Sequence, residues 1–430
     1  MKYNTQNAKI ASITEETLVL GIDVGSATHY VRAFDWRNYE FSDKPLAFRN
    51  DEAGFLTFMA WVEDIKEKAG KTAVIPGMEP TGHYWFNLGK FLQDSGMRPV
   101  HVNPHHVKKS KEMDDNNPDK NDRKDPKTIA ALVNEGRFSY PYIPTGVYAE
   151  IRSLSNLRFQ TQEEITRIRN RIARWIRIYF PEYKDVYGKL EAVSGMMVLK
   201  EAPLPVQIKE LGAGGINQIW RDAKLRGAGM KRAKTLLSAA EHSVGSQEAP
   251  EAASMEIWNL LEDYEKYSSR MDDLMARIEE KIKEVPYVDK LLEIKGIGLK
   301  TVCGFIAEVG DLSRFDDPKQ LQKLAGYAIV KNSSGKHAGE SHISYRGRKR
   351  LRYVLYEAAI SVIGKNGEFR EIHRYYQTRE KNPLKKMQSV VAIACKVLRV
   401  FYAILTKGVD YDGEKMLGDI RRPAMSVQAA

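Results

Sequence analysis

The chain has 430 residues, is 43% hydrophobic and carries a formal net charge of +11 at pH 7. This length and apolar content favour a protein of two or three packed domains and argue against a largely disordered chain. The excess of positive charge favours an anionic partner, and nucleic acid is the leading candidate for a chain of this size.

The sequence carries no signal for a membrane or an oxidising compartment. The N-terminal segment MKYNTQNAKIASITEE lacks the apolar core of a signal peptide, and no later stretch reaches about 18 uninterrupted apolar residues. The two cysteines, Cys303 and Cys395, lie far apart in apolar helical patterns, which argues against a disulfide framework or a cysteine-ligated metal. We therefore expect a cytoplasmic protein with no membrane anchor.

Strand and helix patterns alternate over the first third of the chain. The segments LVLGIDVG, HYVRAFDW, TAVIPGMEP and RPVHVNP are typical of strands, and FLTFMAWVEDIKEKAG is typical of an amphipathic helix. A polar stretch, which we expect to be a mobile loop, then leads into a helix at DPKTIAALVNEG. This alternation predicts an α/β domain over residues 1–147.

Helical patterns dominate the rest of the chain. Apolar residues recur at helical spacing from Glu150 to Tyr179 and from Ile257 to Ile282, so residues 148–285 are predicted to form long helices. A hairpin of core helices and an oligomerising coiled coil both fit this pattern, and the two can coexist. We expect an inserted helical subdomain at about 183–255, a mainly helical domain at 286–406 and a disordered or loosely attached tail at 407–430.

Four carboxylates at the ends of predicted elements are candidates for a metal site. Asp23 ends a strand in LGIDVGS, Glu79 ends another in GMEPTGHYW, and both Asp122 and Asp125 lie at a helix start in KNDRKDPKTIA. Four carboxylates brought together need a divalent cation, and an all-oxygen site suits Mg²⁺ or Mn²⁺. Turn- and helix-capping acids are the alternative interpretation. Sugar kinases and actin-like ATPases also begin with a strand similar to GIDVGS.

The order GIDVG, MEPTG and NDRKD resembles the RNase H-like (RuvC-like) DEDD domain of insertion-sequence transposases described as bridge-RNA-guided recombinases. IKGIGLKTVCGFIAEVGDLSRF and KLAGYAIVKNSSGKHAGESHISYRGRKRLRYVLYEAA resemble the helix-hairpin-helix-like segment and the C-terminal serine motif of that family. The resemblance covers residues 17–180 and 286–405 but not the insertion at 183–255. It implies a DNA recombinase with a guide RNA, acting as a dimer or tetramer whose composite sites form between subunits.

The resemblance places the nucleophile of this family on the serine directly before Gly335, which is Ser334, although the adjacent Ser333 leaves a one-position ambiguity. A serine hydroxyl needs a base, a metal or nearby cations to attack a phosphodiester. The attack would leave a phosphoserine link to DNA, which conserves the bond energy for resealing without ATP. A pair of inert serines in a polar loop between two helical segments is the alternative.

Two further features predict contacts with nucleic-acid phosphates. Gly296 and Gly298 allow a tight turn between helices whose free amide groups can approach a phosphate. A run of cations then follows the serine motif and enters a helix, where a stripe of outward charge would bind phosphate. A solvated charged face is the alternative. The cations are Arg346, Arg348, Lys349, Arg350 and Arg352.

Together these patterns predict a nucleoid-associated transposase or site-specific recombinase that cuts and rejoins DNA through a Mg²⁺-assisted serine. Three alternatives stay open. The first is a metal-dependent nuclease or junction resolvase that uses water, and the second is an actin-like kinase or ATPase, for which we find no second phosphate loop. The third is a non-catalytic nucleic-acid-binding scaffold.

Overall fold

The computed structural model describes residues 5–42, 44–80, 82–114, 125–330, 333–334, 337–338 and 342–421. The chain divides into two compact units, residues 1–143 and 144–430. The first is a mixed α/β unit and the second is mainly helical, which confirms the predicted classes of the two parts. The finer division of the chain into four segments stays a prediction.

The first unit is built on one six-stranded sheet with the order β3-β2-β1-β4-β5-β6. Its strands are β1 (Thr17–Asp23), β2 (Thr28–Phe34), β3 (Leu46–Arg49), β4 (Ala73–Met78), β5 (Val100–Val102) and β6 (Phe138–Ser139). Its helices are α1 (Thr5–Ala11), α2 (Glu52–Lys68), α3 (Trp85–Asp94), α4 (Pro104–Asp114) and α5 (Asp125–Asn134). Strand β1 pairs antiparallel with β2 and parallel with β4, which in turn pairs parallel with β5.

Both faces of this sheet are covered, because every residue from Leu18 to Ile22 in β1 is buried. Leu18, Leu20 and Ile22 belong to a core that also contains residues of α2 and α3. Val19 points the other way, into a core shared with α5. Alternate residues of a strand face opposite sides of a sheet, so a continuous apolar run suits a central strand covered on both sides.

The second unit contains two long helices that pack against one another, α6 (Gly146–Tyr179) and α11 (Pro250–Ile282). Four shorter helices lie between them in the chain and form a separate apolar core with them. These are α7 (Tyr183–Val186), α8 (Val193–Glu201), α9 (Pro205–Asp222) and α10 (Met230–Glu241). Within that core the indole nitrogen of Trp220 donates to the Ser194 carbonyl at 2.8 Å, so its one polar group is satisfied on burial.

The C-terminal part of the second unit has its own core. Its helices are α12 (Val288–Leu292), α13 (Leu299–Val309), α14 (Pro318–Leu324), α15 (Lys349–Lys365), α16 (Gly367–Thr378), α17 (Lys386–Lys407) and α18 (Gly413–Arg421), with a 3-10 turn at Leu312–Arg314. The described strands of this region are β7 (Ile329–Val330), β8 (Ser333–Ser334), β9 (His337–Ala338) and β10 (His342–Ile343).

Helix α17 is long and apolar enough to cross a membrane by length and composition alone. Its apolar face, however, lies in the core of the second unit, where Ile393, Val397 and Phe401 are buried. The apolar pattern of α17 is therefore accounted for by packing within the unit.

The segment after Lys407, predicted to be disordered or loosely attached, includes residues 413–421. These residues form α18, which packs on α16 and buries Met416 and Leu417 in the C-terminal core. The helix is short and mostly polar, so its two buried apolar side chains produce no lasting periodicity in the sequence.

Candidate active site and nucleic-acid interface

The carboxyl edge of the sheet brings together two of the predicted site residues. Asp23 is the last residue of β1, and Glu79 directly follows the last residue of β4. These strands are parallel and paired in register, with Ile22 opposite Met78. Asp23 and Glu79 therefore lie next to each other along the carboxyl edge of the sheet, as their positions at strand ends predicted.

Helix α5 brings a third carboxylate, Asp125, to this edge, because two glycines let the helix lie directly on the sheet. Gly21 and Gly77 face each other in register on β1 and β4. A Cβ atom at Gly21 would lie 1.7 Å from the Pro126 carbonyl oxygen, and one at Gly77 would lie 2.5 Å from Cγ2 of Val133. Asp125 begins α5 and is only 9% exposed.

The carboxyl groups of Glu79 and Asp125 interact electrostatically at this edge. Burial raises the pKa of the Glu79 carboxyl above its usual range, and the negative charge of Asp125 raises it further. The ammonium group of Lys111 on α4 acts in the opposite direction, lowering the pKa of Glu79. The same ammonium group forms an ion pair with Asp125 Oδ1.

The chemistry of these donors fits a hard divalent cation, since carboxylate oxygens are the ligands that Mg²⁺ and Mn²⁺ prefer. A positive charge is already paired with Asp125 through Lys111. Within the described ranges, no three His, Cys, Asp or Glu side chains are grouped closely enough to hold a metal ion. Asp122, the fourth predicted carboxylate, lies outside the described residues.

Sequence reasoning missed two residues at this edge, Lys111 and His101. Lys111 lies in a polar run of lysines, where nothing in the pattern distinguishes it from its neighbours. His101 pairs in register with Met78, the residue before Glu79. Its ring packs edge-on against Trp85 at 4.2 Å, and burial lowers its pKa to about 4, so the imidazole is neutral at pH 7.

The predicted nucleophile lies in a short hairpin where the sequence indicated a loop. Strand β8 pairs antiparallel with β9, so that Ser333 is opposite Ala338 and Ser334 is opposite His337. A second two-stranded ladder joins β7 to β10 on either side of this hairpin. The backbone of Ser334 is thus held by strand pairing in the segment between α14 and α15.

The two glycines of the predicted phosphate-binding turn differ in their surroundings. Gly296 has a φ of +100°, and a Cβ there would lie 3.1 Å from the Ser361 carbonyl oxygen on α15. The Gly296 carbonyl also accepts a hydrogen bond from Ser361 Oγ at 2.7 Å. Gly298 precedes α13 and has open space where a Cβ would be. Close packing against α15 therefore explains why residue 296 is a glycine. Of the two glycines, only Gly298 faces open space.

The cations of the predicted basic stripe divide into two groups. Arg348 forms an ion pair with Glu308 at 3.5 Å, and Arg352 donates to the carbonyls of Ala325 and Tyr345 at 3.1 and 3.2 Å. These two arginines therefore bind the protein itself. The remaining three are exposed, and among them Arg350 also donates to Asn156 Oδ1 at 2.5 Å. The exposed cations are Arg346, Lys349 and Arg350.

Comparisons with known proteins agree with this organisation. A DEDD transposase model of the IS110 type matches residues 20–181, and the model of the transposase IS116/IS110/IS902 family matches residues 288–377. An uncharacterized 44.8 kDa protein of insertion element IS116 from Streptomyces clavuligerus is 24% identical over 396 residues, covering 92% of this chain and 96% of the relative. A 42 kDa protein of insertion element IS900 from Mycobacterium paratuberculosis is 24% identical over 402 residues, covering 90% of this chain and 94% of the relative.

A shorter similarity connects the chain to a protein whose name states the inversion of a gene. The pilin gene-inverting protein of Moraxella bovis is 31% identical over 123 residues, which cover 28% of this chain and 38% of that protein.

The comparisons define the class of the protein, which is a DNA transposase or recombinase. More specifically, its two matched regions are similar to the transposase domains of the IS110/IS116 insertion-element family.

Proposed function

We propose that this transposase cuts and rejoins DNA through a covalent link to Ser334, assisted by a carboxylate site at the carboxyl edge of the first unit's sheet. The observation that carries the proposal is that Asp23 and Glu79 end neighbouring strands that pair in register, while the charge of Asp125 acts on Glu79. A sheet with a fully buried first strand and carboxylates at its end supports the RNase H-like fold that the family resemblance implies.

In this proposal Asp23, Glu79, Asp122 and Asp125 hold Mg²⁺ or Mn²⁺. When bound, the cation polarises a phosphate oxygen and stabilises the charge that develops on it. The protein contributes a partly buried edge, where charges interact more strongly than in bulk water. Because burial raises its pKa, Glu79 takes up a proton more readily than an exposed glutamate does when no cation is present.

The proposed covalent step exchanges one phosphodiester for another. A bond forms between Ser334 Oγ and the DNA phosphorus, while the bond from phosphorus to one deoxyribose oxygen breaks. The serine hydroxyl loses one proton in this step, and the released deoxyribose oxygen gains one to become a hydroxyl. A DNA hydroxyl from the partner strand then attacks the phosphoserine, which restores both the serine and the DNA backbone without an external energy source. Ser334 is chosen over Ser333 by the position of Gly335 in the family motif.

The proposed partners are the element ends and target DNA, together with the guide RNA and the homo-oligomer that the family resemblance implies. Positive charge supports a nucleic-acid partner but does not distinguish DNA from RNA. Arg346, Lys349 and Arg350, with the open backbone at Gly298, are the proposed phosphate contacts of the C-terminal part. A cytoplasmic, nucleoid-associated location follows from this function.

The experiment that tests the proposal expresses the gene with its flanking DNA and isolates the protein under denaturing conditions. The wild type should carry covalently attached DNA, and Ser334→Ala should carry none. Ser333→Ala is the matched control, because it removes the same hydroxyl from the adjacent residue and should keep the adduct.

Substitutions in the carboxylates separate this mechanism from hydrolysis. Asp23→Asn and Asp125→Asn should each abolish the adduct as well, since the serine needs the carboxylate site. If Ser334→Ala still cleaves DNA while Asp23→Asn does not, a metal-dependent nuclease or junction resolvase that uses water replaces the proposal. If neither change alters the DNA products while binding persists, the protein is a scaffold.

A further inference from the structure

The inserted helices between α6 and α11 carry a basic surface that neither matched family region includes. Six cations cluster in the end of α9, the turn that follows it and the start of α10, and all six are exposed. They are Arg221, Lys224, Arg226, Lys231, Arg232 and Lys234. The matched regions end at residue 181 and resume at 288, so this basic surface is additional to both transposase domains.

The cations of the basic surface form no ion pairs with the described residues of the protein. In the described parts of the chain, none of the six forms an ion pair within 4.0 Å, although Asp222 lies among them in sequence. Some other exposed cations of the same unit are paired, such as Lys200 with Glu265 at 2.6 Å. Unpaired cations repel one another, so a cluster of this density raises the electrostatic energy of the isolated protein.

Helix stability does not account for the cluster either. Lys231 and Arg232 lie in the first turn of α10, which contains no acidic residue. Positive charge there opposes the helix dipole, which favours carboxylates at that end. This placement therefore lowers the stability of α10 rather than adding to it.

The part of the basic surface around Lys231 and Arg232 is concave. An open cavity of about 580 Å³ is lined by Gly227, Gly229, Lys231, Arg232 and Thr235, with Asp185 as its one acidic lining residue. Backbone amides, a hydroxyl and cations around an open concavity are the groups that contact nucleic-acid phosphates.

We propose that this basic surface binds the phosphate backbone of duplex DNA independently of sequence, as a second contact beyond the catalytic region. Duplex DNA is the partner chosen because the protein is a DNA transposase or recombinase, and its substrate extends beyond the phosphate that reacts. The inference depends on neither Ser334 nor a metal ion.

The test measures binding of a fluorescent DNA duplex of arbitrary sequence to the full chain over a range of salt concentrations. Lys231→Ala/Lys234→Ala should weaken binding roughly tenfold near 0.1 M salt. The slope of the logarithm of the DNA-binding constant against the logarithm of salt concentration should become shallower by about one for each lysine removed. Lys231→Arg/Lys234→Arg should retain wild-type binding, because phosphate contact needs the charge.

The matched control is Lys209→Ala/Lys266→Ala, which removes two exposed lysines from α9 and α11, outside the basic surface. This control should change the DNA affinity and the salt slope much less than Lys231→Ala/Lys234→Ala does. Circular dichroism should show that both double variants are folded. Equal effects of the two pairs would overturn the proposal, since only net charge would then matter. It would equally be overturned if duplex RNA binding weakened while duplex DNA binding did not. The Ser334→Ala adduct experiment is unaffected by either result.

Discussion

Gly21 of β1 lies so close to Pro126 of α5 that a Cβ atom would be 1.7 Å from the Pro126 carbonyl oxygen. The obstacle is backbone, which cannot rotate away as a side chain can. This contact fixes the distance between the sheet and the helix that begins with Asp125. The geometry of the carboxylate edge therefore depends on a residue that carries no side chain.

Gly21→Ala should lower the free energy of unfolding by about 1–3 kcal/mol, the usual cost of overpacking, and should displace α5. DNA cleavage should fall even at temperatures where the variant is folded, because Asp125 moves with the helix. Chemical denaturation and an activity assay measure the two effects. Gly188→Ala, where a Cβ meets nothing within 4 Å, is the control and should behave as wild type. A fully active, equally stable Gly21→Ala would contradict the packing argument.

Glu79 should make stability depend on pH in a defined direction. Its pKa is raised above the ordinary 4.5, chiefly by burial, so folding favours the protonated form. The contribution is fully present below pH 4.5 and is lost as the pH rises through the folded-state pKa. Glu79→Gln should therefore match the wild type in acid and become more stable than it towards pH 7, as measured by denaturation without divalent ions.

Exposed Glu67→Gln controls for the removal of one charge and should leave the pH dependence unchanged. Added Mg²⁺ should raise the thermal midpoint of the wild type more than that of Glu79→Gln, because a ligand stabilises only the protein that binds it. The same Mg²⁺ shift in both proteins would remove Glu79 from the cation site.

Lys111 should compete with a divalent cation for Asp125, since its ammonium group already forms an ion pair with that carboxylate. Lys111→Met should tighten Mn²⁺ binding roughly two- to fivefold, the effect of losing a partly exposed ion pair of about 0.5–1 kcal/mol. It should also raise the pKa of Glu79, which the lysine lowers. Electron paramagnetic resonance measures free Mn²⁺ directly. Lys109→Met, which removes an exposed ion pair with Glu112, is the control. Weaker Mn²⁺ binding in Lys111→Met would mean that the lysine supports the site.

The basic run after the serine motif should separate into stability and binding residues. Arg352→Ala should cost about 1–3 kcal/mol of stability, because the carbonyls of Ala325 and Tyr345 lose a charged donor. Arg346→Ala/Lys349→Ala should change stability by less than about 0.5 kcal/mol and weaken DNA binding instead. Thermal unfolding and DNA binding at matched salt distinguish them. Unchanged stability in Arg352→Ala would mean that the hydrogen bonds of Arg352 make no net contribution to the free energy of unfolding.

Much of the fold could be predicted because its signals are local. The apolar run before Asp23 predicted a buried strand, and the helical spacing from Glu150 to Tyr179 predicted the helix observed at Gly146–Tyr179. Asp23 and Glu79 could be placed at one edge because each ends a strand, and parallel strands in register bring their ends together.

Tertiary structure alone decided the features that depend on distant contacts. Nothing near Lys111 in the sequence indicates that it pairs with Asp125, and nothing near Arg352 indicates that its guanidinium is used by backbone carbonyls of another segment. Gly296 looked like part of a phosphate-binding turn, but its missing Cβ makes room for α15. Hydrophobic periodicity reports which face of an element is buried, whereas the partner of a charge or a glycine is fixed only when distant elements pack together.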